Sequence, residues 1–305
     1  MSFSHTVKEE IAANLPQSPC CLHAMAYGML LFAREFSAQG VSIMTDHDCV
    51  AQMYETLLFD ETGVRAQKKV SDAGKYTVSV PEEDIPQVLS AFSVSGSEAV
   101  LRVNRANLLN ESGGEEGLNC CHNAFFKGAF LSCGTISDPN KSYHLEFVVP
   151  YRTLCFDLLK LLTDAGIKAK HMVRRYVNVI YIKDSESIED LLHLMGASMS
   201  AFEISHIKIY KNFRNVSNRR ANFDDANMTR VAEAACEQIY AIRSLRESGR
   251  FSLLDPELQQ VAAAREDNPD ASLSELGALF SPPMTRSAVN HRLQKIVAFS
   301  EQDKD

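Results

Sequence analysis

Residues 120–134 read CCHNAFFKGAFLSCG, and residues 20–34 read CCLHAMAYGMLLFAR. Displaced by one hundred residues, Cys20, Cys21 and Gly28 fall on Cys120, Cys121 and Gly128. A glycine inside a helix-length apolar run costs about 1 kcal/mol relative to alanine, so a glycine at the matched position of both copies points to close backbone approach. Two helices packed through small residues would provide that approach. The self-similarity predicts a duplicated domain whose halves meet along this helix pair.

Outward from each helix the same element order is expected. In the first half, a helix follows Pro19 and ends near Phe36, and 41–45 reads as a strand and 48–59 as a helix. A strand pair, 63–69 and 75–80, turns at Ala73-Gly74, and a helix spans 81–92. In the second half the pattern runs helix to Cys133, strand 142–149, helix 151–165, strands 167–174 and 176–183, and helix 185–195. Tyr76-Thr-Val-Ser-Val matches Tyr176-Val-Asn-Val-Ile at the same displacement, and Thr62-Gly-Val-Arg echoes Ala165-Gly-Ile-Lys. Two αββαββ units thus make one α+β domain over 1–203, with repeats of about 19–100 and 119–200. A short amphipathic helix leads in, with Val7, Ile11 and Leu15 on one face and Ser4 as its cap.

Residues 204–222 change character: Lys208, Lys211, Arg214, Arg219 and Arg220 stand there without an acid, as expected of a basic linker. The remaining domain, 223–305, is all helical in pattern. A helix capped by Asp224 or Asp225 runs to about Ser248 and is ended by Gly249, with Val231, Ala235, Ile239, Ile242 and Leu245 on one face. Three further helices are expected over 256–267, 272–279 and 285–299, and Ser272 with Glu275 forms a capping box. A short helix, a turn, and a longer helix opening at a Thr cap make a helix-turn-helix, whose last helix enters the major groove of DNA.

Within that last helix Ala288, Val289, Leu293, Ile296 and Val297 can face a core. Thr285, Arg286, Ser287, Asn290, His291, Arg292, Gln294 and Lys295 remain for contact with DNA. Arg286 and Asn290 suit bidentate reading of guanine and adenine edges, whereas Arg292 and Lys295 suit phosphate. No acid lies between Glu275 and Glu301 to repel a phosphate backbone. A second basic surface is expected from Lys208, Lys211, Arg214, Arg219 and Arg220 with Lys168, Lys170 and Arg174, of which the last three share one strand face, with a merely solvated sheet face as the alternative for those three.

With 305 residues, 45% hydrophobic and 23% charged, the chain has the composition of a folded protein of two domains. The net charge of −8 excludes a protein basic all over but leaves local basic patches open. No apolar run reaches the roughly 20 residues of a membrane span, and the start, MSFSHTVKEEIAANLP, carries acids where a signal peptide is apolar, so no membrane partner is expected and the cytoplasm is. The eight cysteines lack the CxxC spacing of zinc sites and read as reduced, buried thiols, so no metal and no cofactor are expected; the alternative is a metal or redox site built from the pairs Cys20/Cys21 and Cys120/Cys121 meeting in space.

The duplicated helices resemble those of the LAGLIDADG homing endonucleases, in which an acid five positions after each glycine binds divalent metal between the halves. Here those positions hold Ala33 and Cys133, neither of which is an oxygen ligand for Mg²⁺, and the nearby acids Glu35 and Asp138 are not a matched pair. No catalytic residue and no enzyme activity are expected. CHNAFFKGAFLSCGTISDPNKSYHLEF and ASLSELGALFSPPMTRSAVNHRL, together with this domain order, resemble the WhiA family of bacterial regulators over nearly the whole chain. The resemblance implies a sequence-specific, nucleoid-associated DNA-binding protein acting in transcription, in sporulation or in cell division and chromosome segregation. It also implies a last domain similar to the promoter-reading domain of sigma factors, with the recognition helix at 287–295. The alternatives are an interaction protein contacting RNA polymerase, a sigma factor or a second regulator, and a residual nuclease.

Overall fold

The computed structural model describes residues 2–96, 100–108 and 120–302; the repeat edges expected at 97–99 and 119, and residues 303–305, lie outside these. The chain divides into two units, Met1–Tyr210 and Lys211–Asp305.

In the first unit α1 (Phe3–Ala13) precedes two repeats of one order. The first is α2 (Pro19–Leu31), β1 (Glu35–Ser37), β2 (Gly40–Thr45), α3 (Asp48–Thr62), β3 (Gln67–Val70), β4 (Tyr76–Ser79) and α4 (Ile85–Ala91). The second is α5 (Cys120–Cys133), β5 (Gly134–Ile136), β6 (Leu145–Val149), α6 (Arg152–Asp164), β7 (Lys170–Arg174), β8 (Val177–Ile182) and α7 (Ser185–Leu194). Each repeat builds an antiparallel sheet, in the orders β1-β2-β4-β3 and β5-β6-β8-β7. Strict alternation sends Leu145, Phe147 and Val149 of β6 into the core and leaves Glu146 on the other face. The echo of Thr62-Gly with Ala165-Gly has a common cause: Gly63 and Gly166 follow the ends of α3 and α6 at φ +73° and +79°, the left-handed region open to glycine.

The α2–α5 contact is the centre of this unit. A Cβ on Gly28 would overlap the Phe125 carbonyl oxygen, and a Cβ on Gly128 would overlap the Met25 carbonyl oxygen. The two contacts are the same contact seen from each repeat, since 28 faces 125 and 128 faces 25, as a two-fold relation requires. The Ser132 hydroxyl continues the seam by donating to the Met29 carbonyl oxygen at 2.6 Å. Tyr27, Phe125, Phe126 and Phe130 are fully buried around it.

Several sequence expectations are corrected. The helix α2 stops at Leu31, and Phe36 lies in β1, buried and paired with Val41. Neither β1 nor its twin β5 was expected, because three residues are too few to show a period of two. Ser2, not Ser4, caps α1, accepting the His5 N–H at 3.2 Å, and Leu15 falls beyond that helix. The stretch expected as a linker, 204–222, is helical: α8 runs unbroken over Ser198–Glu247, and neither Asp224 nor Asp225 is its cap. That segment has no Gly or Pro, and its Asn and Ser residues cost only tenths of a kcal/mol each in a helix. The two cysteine pairs, expected as ordinary buried thiols, meet across the helix pair, and Cys120 is exposed, as is Cys236.

His23 ties α2 to neighbouring segments: Nδ1 lies 2.8 Å from Glu61 Oε2 and Nε2 lies 3.0 Å from Asn107 Oδ1. Asn107 donates its amide to the Phe92 carbonyl, so its oxygen is the atom turned to the imidazole. With acceptors at both nitrogens, the imidazolium is favoured, and the Glu61 hydrogen bond raises the His23 pKa. Because the folded pKa is raised, this stabilisation is present below about pH 6.5 and fades as pH climbs through the folded pKa. Accordingly, His23→Gln should lose more stability in urea unfolding on the acid side of neutrality than above it. A second expectation concerns packing: Gly128→Leu must separate two backbones and should lower stability by about 3 kcal/mol or more, read as a fall in melting temperature by circular dichroism.

Candidate nucleic-acid interface

The second unit packs the C-terminal part of α8 with α9 (Pro256–Asp267), α10 (Leu273–Ala278) and α11 (Arg286–Glu301). Ile242, Leu245, Val261, Leu276, Val289, Leu293 and Ile296 form its core, while Ala288 and Val297 are half-buried. The capping box forms: Ser272 Oγ accepts the Glu275 N–H, and Glu275 Oε2 accepts the Ser272 N–H at 2.7 Å. Thr285 opens α11 by accepting the Ala288 N–H at 3.3 Å. Gly277 makes the turn tight, since a Cβ there would overlap the Met284 carbonyl oxygen, while its own carbonyl accepts the Met284 N–H at 2.9 Å.

With α11 held in this way, Arg286, Ser287, His291, Gln294 and Lys295 are exposed, and Asn290 and Arg292 are half-buried. Thr285 is exposed too, but its hydroxyl oxygen is engaged as the cap. Arg286 and Asn290 line a groove of about 400 Å³ shared with Asn227, Arg230, Gln238 and Ser274. Arg230 was not among the expected contact residues; it is one cation in a helix of mixed charge, and only folding puts it beside Arg286. Arg292 is paired with Glu257, Nη2 to Oε2 at 2.9 Å. The acid-free stretch along the sequence is thus supplied with an acid from α9.

Several of the secondary basic residues are engaged by acids. In the first unit Lys208 pairs with Glu186 at 3.4 Å and Glu189 at 3.5 Å, and Lys168 with Asp184 at 3.5 Å. Arg174 grips Glu146 with two hydrogen bonds of 3.0 and 2.8 Å, which holds the Glu146 carboxyl below the usual carboxylate range. Lys170 is exposed on the same strand. Arg214, Arg219 and Arg220 are exposed on the part of α8 that belongs to the second unit, where Lys211 is half-buried.

At the C-terminal ends of the twin helices, where the endonuclease resemblance puts metal-binding acids, Ala33 is buried and burial pushes the Cys133 thiol up to about 12. Lys8 reaches the same region, its amine donating to the Leu131 carbonyl at 3.1 Å, and burial lowers it to about 8 against the opposing pull of Cys133, Cys49 and Asp46. Glu35 is exposed on β1, and Asp138 is used in a turn, accepting the Asn140 N–H at 2.9 Å. Among the described residues no helix is long and apolar enough to cross a membrane.

These features define a duplicated LAGLIDADG-like domain followed by a helix-turn-helix domain. The model of the WhiA LAGLIDADG-like domain matches residues 122–214, and that of the WhiA C-terminal HTH domain matches 217–300. A relative from Thermoanaerobacter pseudethanolicus named probable cell division protein WhiA is 31% identical, covering 100% of this chain and 99% of its own length. One of the same name from Carboxydothermus hydrogenoformans is 31% identical over 99% of this chain and 98% of its length. The chain belongs to the WhiA family. Its fold matches the crystal structure of full-length DUF199/WhiA from Thermotoga maritima at a TM-score of 0.60 and 22% identity, covering both chains in full.

Neutralising the acid beside Arg292 gives a direct test of its expected phosphate contact. Glu257→Ala should tighten duplex binding and steepen the slope of log affinity against log salt by about one, measured by fluorescence anisotropy. An unchanged slope would remove Arg292 from the contact set.

Proposed function

We propose that this chain is a sequence-specific DNA-binding transcriptional regulator without nuclease activity, serving cell division and chromosome segregation, or sporulation. The observation that carries the reading is α11, a capped helix with three residues anchored in the core and Arg286, Ser287, His291, Gln294 and Lys295 exposed. Its partner is double-stranded DNA, with Arg286 and Asn290 on base edges and Lys295 on phosphate. The protein then resides in the cytoplasm on the nucleoid. The occupation of the metal-acid positions by Ala33 and Cys133 supports a domain that does not cut DNA.

A second reading, contact with RNA polymerase, a sigma factor or a second regulator, is favoured by Phe213, Val216, Phe223 and Met228, large apolar side chains left exposed on α8. Gel shifts of the full chain on genomic fragments separate the two.

Each lost base contact is worth about 1–3 kcal/mol of discrimination, so Arg286→Ala with Asn290→Ala should reduce target preference at least about tenfold while keeping non-specific binding. A double variant that footprints its target like the parent would reject the assignment. Duplex DNA incubated with the pure protein and Mg²⁺ should stay intact.

A further inference from the structure

Cys20, Cys21, Cys120 and Cys121 bring four Sγ atoms within 4.8 Å of one another, and the Cys21 and Cys121 sulfurs are 4.0 Å apart. A tetrahedral ion with zinc–sulfur bonds of about 2.3 Å spaces its ligands about 3.8 Å apart, so the four sulfurs need only small rotations to close on one centre. We propose that these four cysteines form a mononuclear thiolate site for a soft divalent cation, Zn²⁺, that clamps the two repeats together at the N-terminal end of the α2–α5 pair.

The donor set selects the ion. Four thiolates suit zinc and give hard cations such as Mg²⁺ no oxygen. An iron–sulfur cubane would hold its cysteines on separate irons, farther apart than ligands that share one ion. The helix starts suit the charge as well. Both pairs stand in the first turn of their helices, where backbone N–H groups favour anionic sulfur. Burial raises the Cys21 and Cys121 thiols, so the ion has to displace their protons as it binds. An entry path exists too: Cys21 and Cys121 lie inside, while Cys120 is exposed and Cys20 half-exposed. On binding, the thiols that are still protonated release their protons to solvent, and no electron is transferred.

The test uses the full chain, purified, reduced, stripped with a chelator and titrated with Co²⁺ without oxygen. The expected result is the intense visible absorption of tetrahedral thiolate cobalt together with a near-ultraviolet sulfur-to-metal band. Both should saturate at one ion per chain and be abolished by Zn²⁺. The variant Cys20→Ser with Cys120→Ser, checked for folding by circular dichroism, should lose these bands. Should that variant not fold, the parent still decides: its melting temperature should rise with Zn²⁺ and fall with the chelator. A weak octahedral spectrum, bands that persist in the folded double variant, an iron–sulfur chromophore in the isolated protein, or a Cys21–Cys121 disulfide in place of metal uptake would each overturn the proposal. None of these readouts depends on DNA binding.

Discussion

The fold rests on one close approach, that of the α2 and α5 backbones at Gly28 and Gly128. Each glycine faces a carbonyl of the other helix, so any side chain there would drive the helices apart and open the layer of Tyr27, Phe125, Phe126 and Phe130 around them. Interiors are packed densely enough that such a shift has no slack to use. Each repeat adds one four-stranded sheet to this pair. The reciprocity of the contact makes the first unit a two-fold arrangement in which whatever lies at either end of one helix is brought to its twin.

At the C-terminal end the matched positions of that pairing offer a hard metal no side-chain oxygen. Ala33 and Cys133 stand where oxygen ligands would be required, and the Lys8 ammonium reaches into the region, a charge that opposes binding of a divalent cation. In the second repeat, two of the basic residues expected to form a further surface are already paired. Arg174 is already bidentate on Glu146 and Lys168 is paired with Asp184, so each would have to break an ion pair to meet a phosphate. Exchanging one charge-assisted contact for another returns little net free energy. In the second unit Arg286 and Lys295 are exposed on α11, whose own acid, Glu301, lies in its last turn, and the electrostatic case for DNA is stronger there.

Much of this was readable from the residues. The matched glycines, the element order and the caps Ser272 and Thr285 are local signals, and local signals survive folding. The strands β1 and β5 were not readable because three residues show no period, and α8 was not because basic residues and asparagines imitate a linker while containing no breaker. On α11 the residues turned away from the core could be named from helical periodicity. Periodicity along one helix is blind to what another brings, so the Glu257 pairing of Arg292 and the arrival of Arg230 in the groove became visible only in three dimensions.

The cysteines show the same limit from the other side. An adjacent pair on one helix is a poor chelate by itself, so from the sequence a shared site is only an alternative that depends on the two pairs meeting in space. Duplication changes the arithmetic, because a two-fold contact between copies of a two-ligand motif gives four ligands about one axis with no further design. The contact that the glycines enforce at the middle of the helices is what fixes the separation of the thiols at their start. A domain whose shared helices present Ala33 and Cys133 at one end therefore has, at the other, the geometric means of sharing an ion of a softer kind.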